Sequence, residues 1–131
     1  MVDASSLTAF ILKEPGWRGL SRYLKLGISV DHVVKEVLNA LWRAYALKGV
    51  IGVQEAIQLF RILESMIGVN ILLEPEERYL NRAFKIALDS KITVYDALYI
   101  ALAAEKRLPL LTLDEKQKDA ARAVGIKIID I

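Results

Sequence analysis

The stretch "ITVYDALYIALAAEKR" (Ile92 to Arg107) has the pattern of a buried helix. Thr93 is placed to start the helix, and small or apolar side chains fill most positions of the following turns. Asp96 interrupts this apolar run. Because a buried carboxylate without a partner is costly, Asp96 needs either a capping role or a ligand.

The composition limits the classes of protein and of site. A chain of 131 residues without a Pro/Gly/Ser-rich linker predicts one domain over residues 1–131. The net charge of +2, from 18 basic and 16 acidic residues, is too balanced to indicate nucleic-acid binding by itself. With no cysteine and one histidine, disulfides, thiolate sites and histidine clusters are excluded, so any metal must be held by oxygen.

The cellular location is predicted from the charged residues within the apolar runs and from the first ten residues. Charged residues keep these runs shorter than the ~18 to 20 residues of a membrane span. The start "MVDASSLTAF" has no positively charged leader and carries an acid at Asp3, which argues against a secretory signal. We expect an intracellular, cytoplasmic protein with no membrane partner.

Short apolar runs alternate with longer helical patterns along the chain. The runs are "MV", "GISV", "VNILLEP", "LPLLTLD" and "GIKIIDI", typical of buried parallel strands. Helices are predicted from Asp31 to about Lys48, over "VQEAIQLFRILESMIG" to Gly68, from Pro75 to about Leu88, from Thr93, and from Asp114 to Gly125. The alternation predicts an α/β fold with a parallel sheet covered on both faces.

Four acids stand where such a sheet places its ligands, beyond the carboxyl ends of the strands. Asp3 and Asp114 follow apolar runs, Asp96 lies in the first turn of its helix, and Glu36 lies one turn into the helix that Asp31 begins. If the four carboxylates converge, they raise one another's pKa unless a cation neutralises them. An all-oxygen site suits magnesium or manganese.

Each acid also has an ordinary structural explanation. Thr93 and Asp96 match a capping box, and Asp114 is equally suited to be a helix N-cap, with Gln117 three residues on. Asp3 is compatible with a simple cap or an exposed terminal residue, and Glu36 with a solvated helix acid. Only their joint placement favours a shared site.

The chain resembles the PIN domain family, and in particular VapC toxins of toxin–antitoxin pairs. The resemblance rests on "VDAS", "VVKEVLNALWR", "VYDALYIALA" and "LLTLDEK", in this order over nearly the whole chain. It implies a three-layer α/β/α sandwich with a parallel sheet in strand order 3-2-1-4-5 and a magnesium- or manganese-dependent endoribonuclease. By resemblance, the catalytic and metal-holding residues are Asp3, Glu36, Asp96 and Asp114, supported by the hydroxyls of Ser5 and Thr112 and accompanied by Asn39.

The resemblance further implies an RNA substrate, an antitoxin partner and a homodimer. Two departures stand out: only Met1 and Val2 precede Asp3, which suggests a truncated start, and Glu115 and Gln117 occupy the region where some members carry a further acid. The number of metal ions per site, one or two, is left open.

The segment "KEPGWRGLSRYLK" offers RNA contacts through Arg18, Arg22 and Lys25, near the aromatic rings of Trp17 and Tyr23. The alternative is a solvated helix face that packs through its aromatics. His32, the single histidine, is expected to be structural or exposed, so an imidazole-pair mechanism is disfavoured and metal-assisted hydrolysis is expected.

Two other functions fit part of the pattern. A receiver-like phosphoacceptor domain also uses acids and magnesium at strand ends, but "VDASS" lacks the paired acid that such a domain carries after its first strand. A non-catalytic PIN-like module that binds RNA or protein is the other alternative, and acids at all four positions argue against it.

Overall fold

The computed structural model describes residues 1–131 as a helix-rich α/β fold. The elements in chain order are α1 (Ala4–Ile11), α2 (Trp17–Leu20), a 3₁₀-helix (Ser21–Tyr23), β1 (Gly27–Val30), α3 (His32–Ala46), α4 (Val53–Met66), β2 (Ile71–Glu74), a second 3₁₀-helix (Glu76–Tyr79), α5 (Leu80–Ser90), α6 (Val94–Lys106) and α7 (Glu115–Ala123). None of the helices combines the length and apolar composition that crossing a membrane requires.

The parallel sheet consists of two regular strands and a series of isolated bridges. Strands β1 and β2 pair in parallel from Gly27 opposite Ile71 to Val30 opposite Glu74. Parallel bridges also join Val2 to Leu111 and Leu110 to Ile128. The predicted α/β fold with a parallel sheet is confirmed, but the apolar runs at Val2, Leu110–Leu111 and Ile128 make single bridges instead of strands of several residues.

Helix α6 lies in the centre of the core, as its apolar sequence predicts. Every residue from Ala97 to Ala103 is buried, so no side of these turns faces solvent. The helix packs against α5, α7 and β1. Its start is fixed by Thr93, whose hydroxyl accepts the backbone N–H of Asp96 at 3.2 Å. The partly buried Asp96 therefore lies at the end of the helix that leaves the core.

Several predicted helix boundaries need correction. Asp31 precedes α3 but makes no side-chain cap; its Oδ1 accepts the N–H of Glu76 at 3.0 Å, a contact across the chain that local sequence cannot show. Helix α3 ends at Ala46 instead of Lys48. After Pro75 the chain forms a 3₁₀-helix before α5 begins at Leu80. No bounds were predicted for α1 and α2, although a cap at Asp3 and a helix face near Trp17 were considered.

Truncating a central side chain of α6 tests its place in the core. Leu102 is fully buried, so Leu102→Ala should lower the free energy of unfolding by about 2 to 5 kcal/mol through lost burial and a cavity. The matched control is Leu47→Ala at an exposed position after α3, expected to cost about 0.5 kcal/mol or less. Urea unfolding of both variants gives the comparison. Equal losses would place α6 outside the core.

Candidate active site

One open cavity of about 850 Å³ is lined by all four predicted acids. They come from separate elements, each at or near a helix start: Asp3 caps α1, Glu36 lies in α3, Asp96 lies in the first turn of α6, and Asp114 caps α7. Helix N-termini carry partial positive charge and unpaired N–H groups, which makes them favourable surroundings for carboxylates. The fold therefore brings together acids that are up to 111 positions apart in the chain, as counted from Asp3 to Asp114.

Asp3 is the most buried of the acids, with 3 % of its surface exposed. Its Oδ1 accepts the N–H of Ser6 at 3.0 Å, which is the N-cap contact of α1, so the capping role considered from sequence is present. The Ser5 hydroxyl donates to both carboxylate oxygens, at 2.9 and 2.8 Å, and Thr112 Oγ1 lies 2.5 Å from Oδ2. Both predicted supporting hydroxyls thus contact this one carboxyl group.

The Thr112 hydroxyl has one proton and two acceptor neighbours. Its Oγ1 lies 2.5 Å from Asp3 Oδ2 and 2.8 Å from Gln117 Oε1. The orientation of the Gln117 amide is set, because its Nε2 donates to the Asp96 carbonyl at 2.8 Å. The single hydroxyl proton can be donated to only one of these two acceptors at a time. Burial raises the pKa of Asp3, whereas its hydrogen bonds to Thr112, Ser6 and Ser5 lower it.

Gln117 is a buried link between three parts of the site. Its side chain is bonded to Thr112 and to the carbonyl of Asp96, and its backbone N–H donates to Asp114 Oδ1 at 2.9 Å. The sequence identified Gln117 as the third residue after a cap and as a residue in the region where some members of the family carry a further acid. Its burial among polar partners was the part that sequence spacing could not reveal.

Glu36 is oriented by two aromatic side chains. The hydroxyl of Tyr99, in α6, donates to Glu36 Oε1 at 2.7 Å. The same oxygen lies 3.2 Å from His32 Nε2, one turn earlier in α3. His32 is buried and lines the cavity, so of the two expectations for this residue the structural one is correct. The role of Tyr99 was missed, because 63 positions separate it from Glu36.

The acids affect one another electrostatically around the cavity. Burial raises the pKa of Glu36, the Tyr99 hydrogen bond lowers it, and the charges of Asp96 and Asp3 raise it further. The pKa of Asp96 is raised by burial and then by the charge of Asp114, partly offset by Thr93. Like-charge repulsion therefore connects all four acids in a series, from Asp3 through Glu36 and Asp96 to Asp114.

The chemistry of these residues fits a hard divalent cation. The donors are carboxylates, and like charge raises the pKa of two of them, Glu36 and Asp96, so a cation placed among the four would offset that repulsion. No three of the His, Asp and Glu side chains, however, lie close enough together to form a ready metal-binding group. The predicted convergence is thus correct for the cavity, while the carboxylates remain more widely spaced than direct ligands of one ion.

The predicted RNA contacts lie away from this cavity. Arg18, Arg22 and Lys25 are exposed and are absent from its wall. The Arg18 guanidinium instead lies 5.1 Å from the ring of Trp17, and that of Arg22 lies 4.8 Å from the ring of Tyr23. These contacts resemble the alternative of a helix face packed through its aromatics. A role of the three residues in RNA binding stays a prediction.

Two basic residues that sequence reasoning missed do line the cavity. Lys35 and Arg43 lie on α3 with Asn39 between them, at a spacing of four residues that places all three on one face of the helix. That spacing, next to Glu36, was the signal in the sequence. The exposed ring of Tyr95, beside Asp96, also belongs to the wall.

Comparisons with known proteins identify the fold and its relatives. The model of the PIN domain matches residues 1–123. The chain is 32% identical over 120 residues to Ribonuclease VapC3 of Pyrobaculum aerophilum, an overlap of 88% of this chain and 89% of that protein. The crystal structure of PAE2754 from the same organism matches with a TM-score of 0.69 at 27% identity, covering 91% of this chain and 76% of the other.

The raised pKa of Asp96 leads to a prediction about stability and pH. A carboxyl whose pKa is raised by folding makes the protein less stable as the pH rises from the ordinary pKa of the group to the raised pKa. Asp96→Asn lacks this loss. In EDTA, the variant should therefore gain about 0.5 to 1 kcal/mol relative to wild type between about pH 4 and about pH 7.5. Urea unfolding at both pH values measures the gain.

The control is Leu47→Ala, an exposed position that exchanges no ionisable group, which should give the same difference from wild type at both pH values. An Asp96→Asn protein that instead loses stability relative to wild type as pH rises would show that the carboxylate acts mainly as a helix-terminal charge.

Proposed function

The chain belongs to the PIN domain family, and from that premise we propose that it is a metal-dependent endoribonuclease that hydrolyses RNA phosphodiester bonds. We propose further that it is the toxin of a VapBC-type toxin–antitoxin pair, in line with its similarity to Ribonuclease VapC3. The single observation that carries the proposal is the meeting of four sequence-distant carboxylates in one cavity. Intact acids at all four positions argue against a PIN-like module that binds without cutting.

Asp3, Glu36, Asp96 and Asp114 are the proposed holders of a magnesium or manganese ion, which could contact carboxylates of this spacing through its own bound waters. When bound, such an ion supplies Lewis-acid chemistry, activating water and neutralising charge on the phosphodiester oxygens. The protein's own contribution is to hold the carboxylates in place. Ser5 and Thr112 fix the Asp3 carboxyl, and the Tyr99 hydroxyl fixes one oxygen of Glu36. These neutral donors orient the acids without cancelling their charge.

Lys35 and Arg43 are proposed to attract the RNA backbone to this cavity. Four acids repel a polyanion, so binding needs positive charge nearby. Lys35 is already 3.4 Å from Glu76, whereas Arg43 makes no ion pair within the protein. Arg43 is therefore the side chain that is free to contact a phosphate, and Asn39 between them is a further hydrogen-bonding group of the same wall.

For the fold, we propose a single domain over residues 1–131, arranged as a three-layer α/β/α sandwich with strand order 3-2-1-4-5. The order numbers the segments at Val2, β1, β2, Leu110–Leu111 and Ile128 along the chain. Support comes from backbone bonds on both sides of the first segment: the Val2 N–H donates to Ile28, and the Asp3 N–H donates to Leu111. One continuous hydrophobic core supports the single domain.

An antitoxin protein and a second copy of the chain are the proposed protein partners. An apolar groove of about 260 Å³ between α3 and α4 supports the antitoxin, because an amphipathic helix fits such a surface. Its wall consists of Leu38, Leu41, Trp42, Tyr45, Val53, Ala56, Ile57 and Phe60. We place the protein in the cytoplasm, where its proposed RNA substrate is found, and leave the homodimer interface unassigned.

The proposal predicts metal-dependent cleavage of single-stranded RNA that depends on Glu36. Wild-type protein should cut a mixed-sequence RNA with magnesium or manganese and stop in EDTA. Glu36→Gln keeps the shape of the side chain but removes its charge, so cleavage should fall by about 100-fold or more while the fold is retained. Gel analysis of the RNA and circular dichroism of both proteins give the comparison.

Asp89→Asn serves as the matched charge-removal control and should cut at the wild-type rate, because Asp89 lies in α5 outside the cavity. Cleavage that persists in EDTA, or full activity of Glu36→Gln, would overturn the proposed chemistry.

A further inference from the structure

The ring of Tyr95 is an exposed aromatic surface next to the acids, and nothing described above gives it a role. Tyr95 lies in the first turn of α6, immediately before Asp96, and both residues line the same cavity. Its side chain is 60 % exposed, although Tyr99 one turn later is fully buried. A single exposed aromatic residue is common on protein surfaces, so the geometry around the ring has to decide whether it is functional.

The ring of Tyr95 is held in a defined orientation by His32. The two rings are stacked with centroids 4.9 Å apart and an interplanar angle of 9°. His32 is itself 8 % exposed and lies between two carboxylates, with Nε2 3.2 Å from Glu36 and Nδ1 3.8 Å from Glu76. Because one face of Tyr95 is covered by a fixed ring, its exposed area lies on the opposite face and the edge.

A flat π-surface already stacked on one side is suited to receive another flat ring on the other. Nucleobases of single-stranded RNA stack on aromatic side chains in this way, and every base has a suitable face. Bases within a duplex are covered by their neighbours and cannot do so. Because the acids of the cavity repel the RNA backbone, stacking on Tyr95 would add to the attraction proposed for Lys35 and Arg43.

We propose that Tyr95, supported by His32, stacks one unpaired nucleobase of the RNA and so positions the adjacent backbone at the acidic cavity. This inference rests on the proposed ribonuclease function and deepens it. The contact reads no base identity, because stacking tolerates all four bases. It makes an unpaired nucleotide beside the cleavage position a requirement for tight binding.

The test couples a change in the protein to a change in the RNA. Binding of fluorescein-labelled single-stranded oligoadenylate is measured by anisotropy in EDTA, with one abasic residue moved along the strand. We expect one abasic position to weaken binding to wild type by about tenfold, and Tyr95→Ala to weaken binding of the intact strand by a similar factor. In Tyr95→Ala that abasic position should cause no further loss, because the partner ring is already missing.

Three variants separate stacking from a structural effect. Tyr95→Phe keeps the ring and should bind like wild type, whereas Tyr95→Leu keeps apolar cover over His32 but should bind like Tyr95→Ala. Phe84→Ala, at an exposed aromatic residue of α5 outside the cavity, should leave binding unchanged. Wild-type affinity in Tyr95→Ala, or abasic losses that are the same with and without the ring, would overturn the proposal.

The outcome is distinguishable from failure of the ribonuclease proposal. A protein that cuts RNA in magnesium but shows no coupling between Tyr95 and any abasic position would remain a nuclease and refute the stacking contact. A protein that shows the coupling but never cuts RNA would retain the stacking contact and refute the hydrolysis.

Discussion

Helix α6 can occupy the centre of the molecule only because its middle turns carry small or apolar side chains on every side. From Ala97 to Ala103 no residue reaches solvent, and α5, α7 and β1 all pack against the helix. Only the ends of such a helix reach the surface, and the N-terminal end of α6 is the one that lies at the cavity. Its first turn, fixed by Thr93, emerges at the cavity and carries Asp96, while Tyr99 reaches back to orient Glu36. This apolar helix carries a carboxylate because its first turn lies at the cavity, where Asp96 joins the other acids.

The acids of the site are held by neutral groups, so their repulsion is left in place. Serine, threonine, tyrosine and backbone N–H donors fix Asp3 and Glu36, and no lysine or arginine pairs with either. Burial raises the pKa of Asp3, Glu36 and Asp96, and nearby acids raise the pKa of Glu36 and Asp96 further. The protein leaves the negative charge of these carboxylates uncompensated. This is unfavourable for the protein without a metal and favourable for binding a cation. The buried carboxylates therefore lower the stability of the folded protein at the site of the proposed chemistry.

Local sequence patterns were sufficient to predict helix starts and the side of a helix that faces the core, because both depend on residues close together in the chain. Thr93 and Asp114 were recognised as helix starts, and Glu36 was placed by helical spacing on the side of the core. Contacts between distant segments were the part that failed. Asp31 looked like a cap, but the N–H it accepts belongs to Glu76. Tyr99 and Gln117 read as core and cap-supporting residues, although each bonds a group from another segment of the site. The basic residues on the cavity wall, Lys35 and Arg43, were also missed, while the RNA contact predicted at Arg18 stays a prediction.

The central claim is that the four carboxylates form one site for a divalent cation, and binding of manganese measures it most directly. Titration followed by electron paramagnetic resonance reports free manganese without RNA or catalysis. We expect saturable binding to wild type that weakens strongly in Asp114→Asn and in Asp3→Asn and is unchanged in Asp89→Asn. Equal binding by all four proteins, or no saturable binding to wild type, would contradict it.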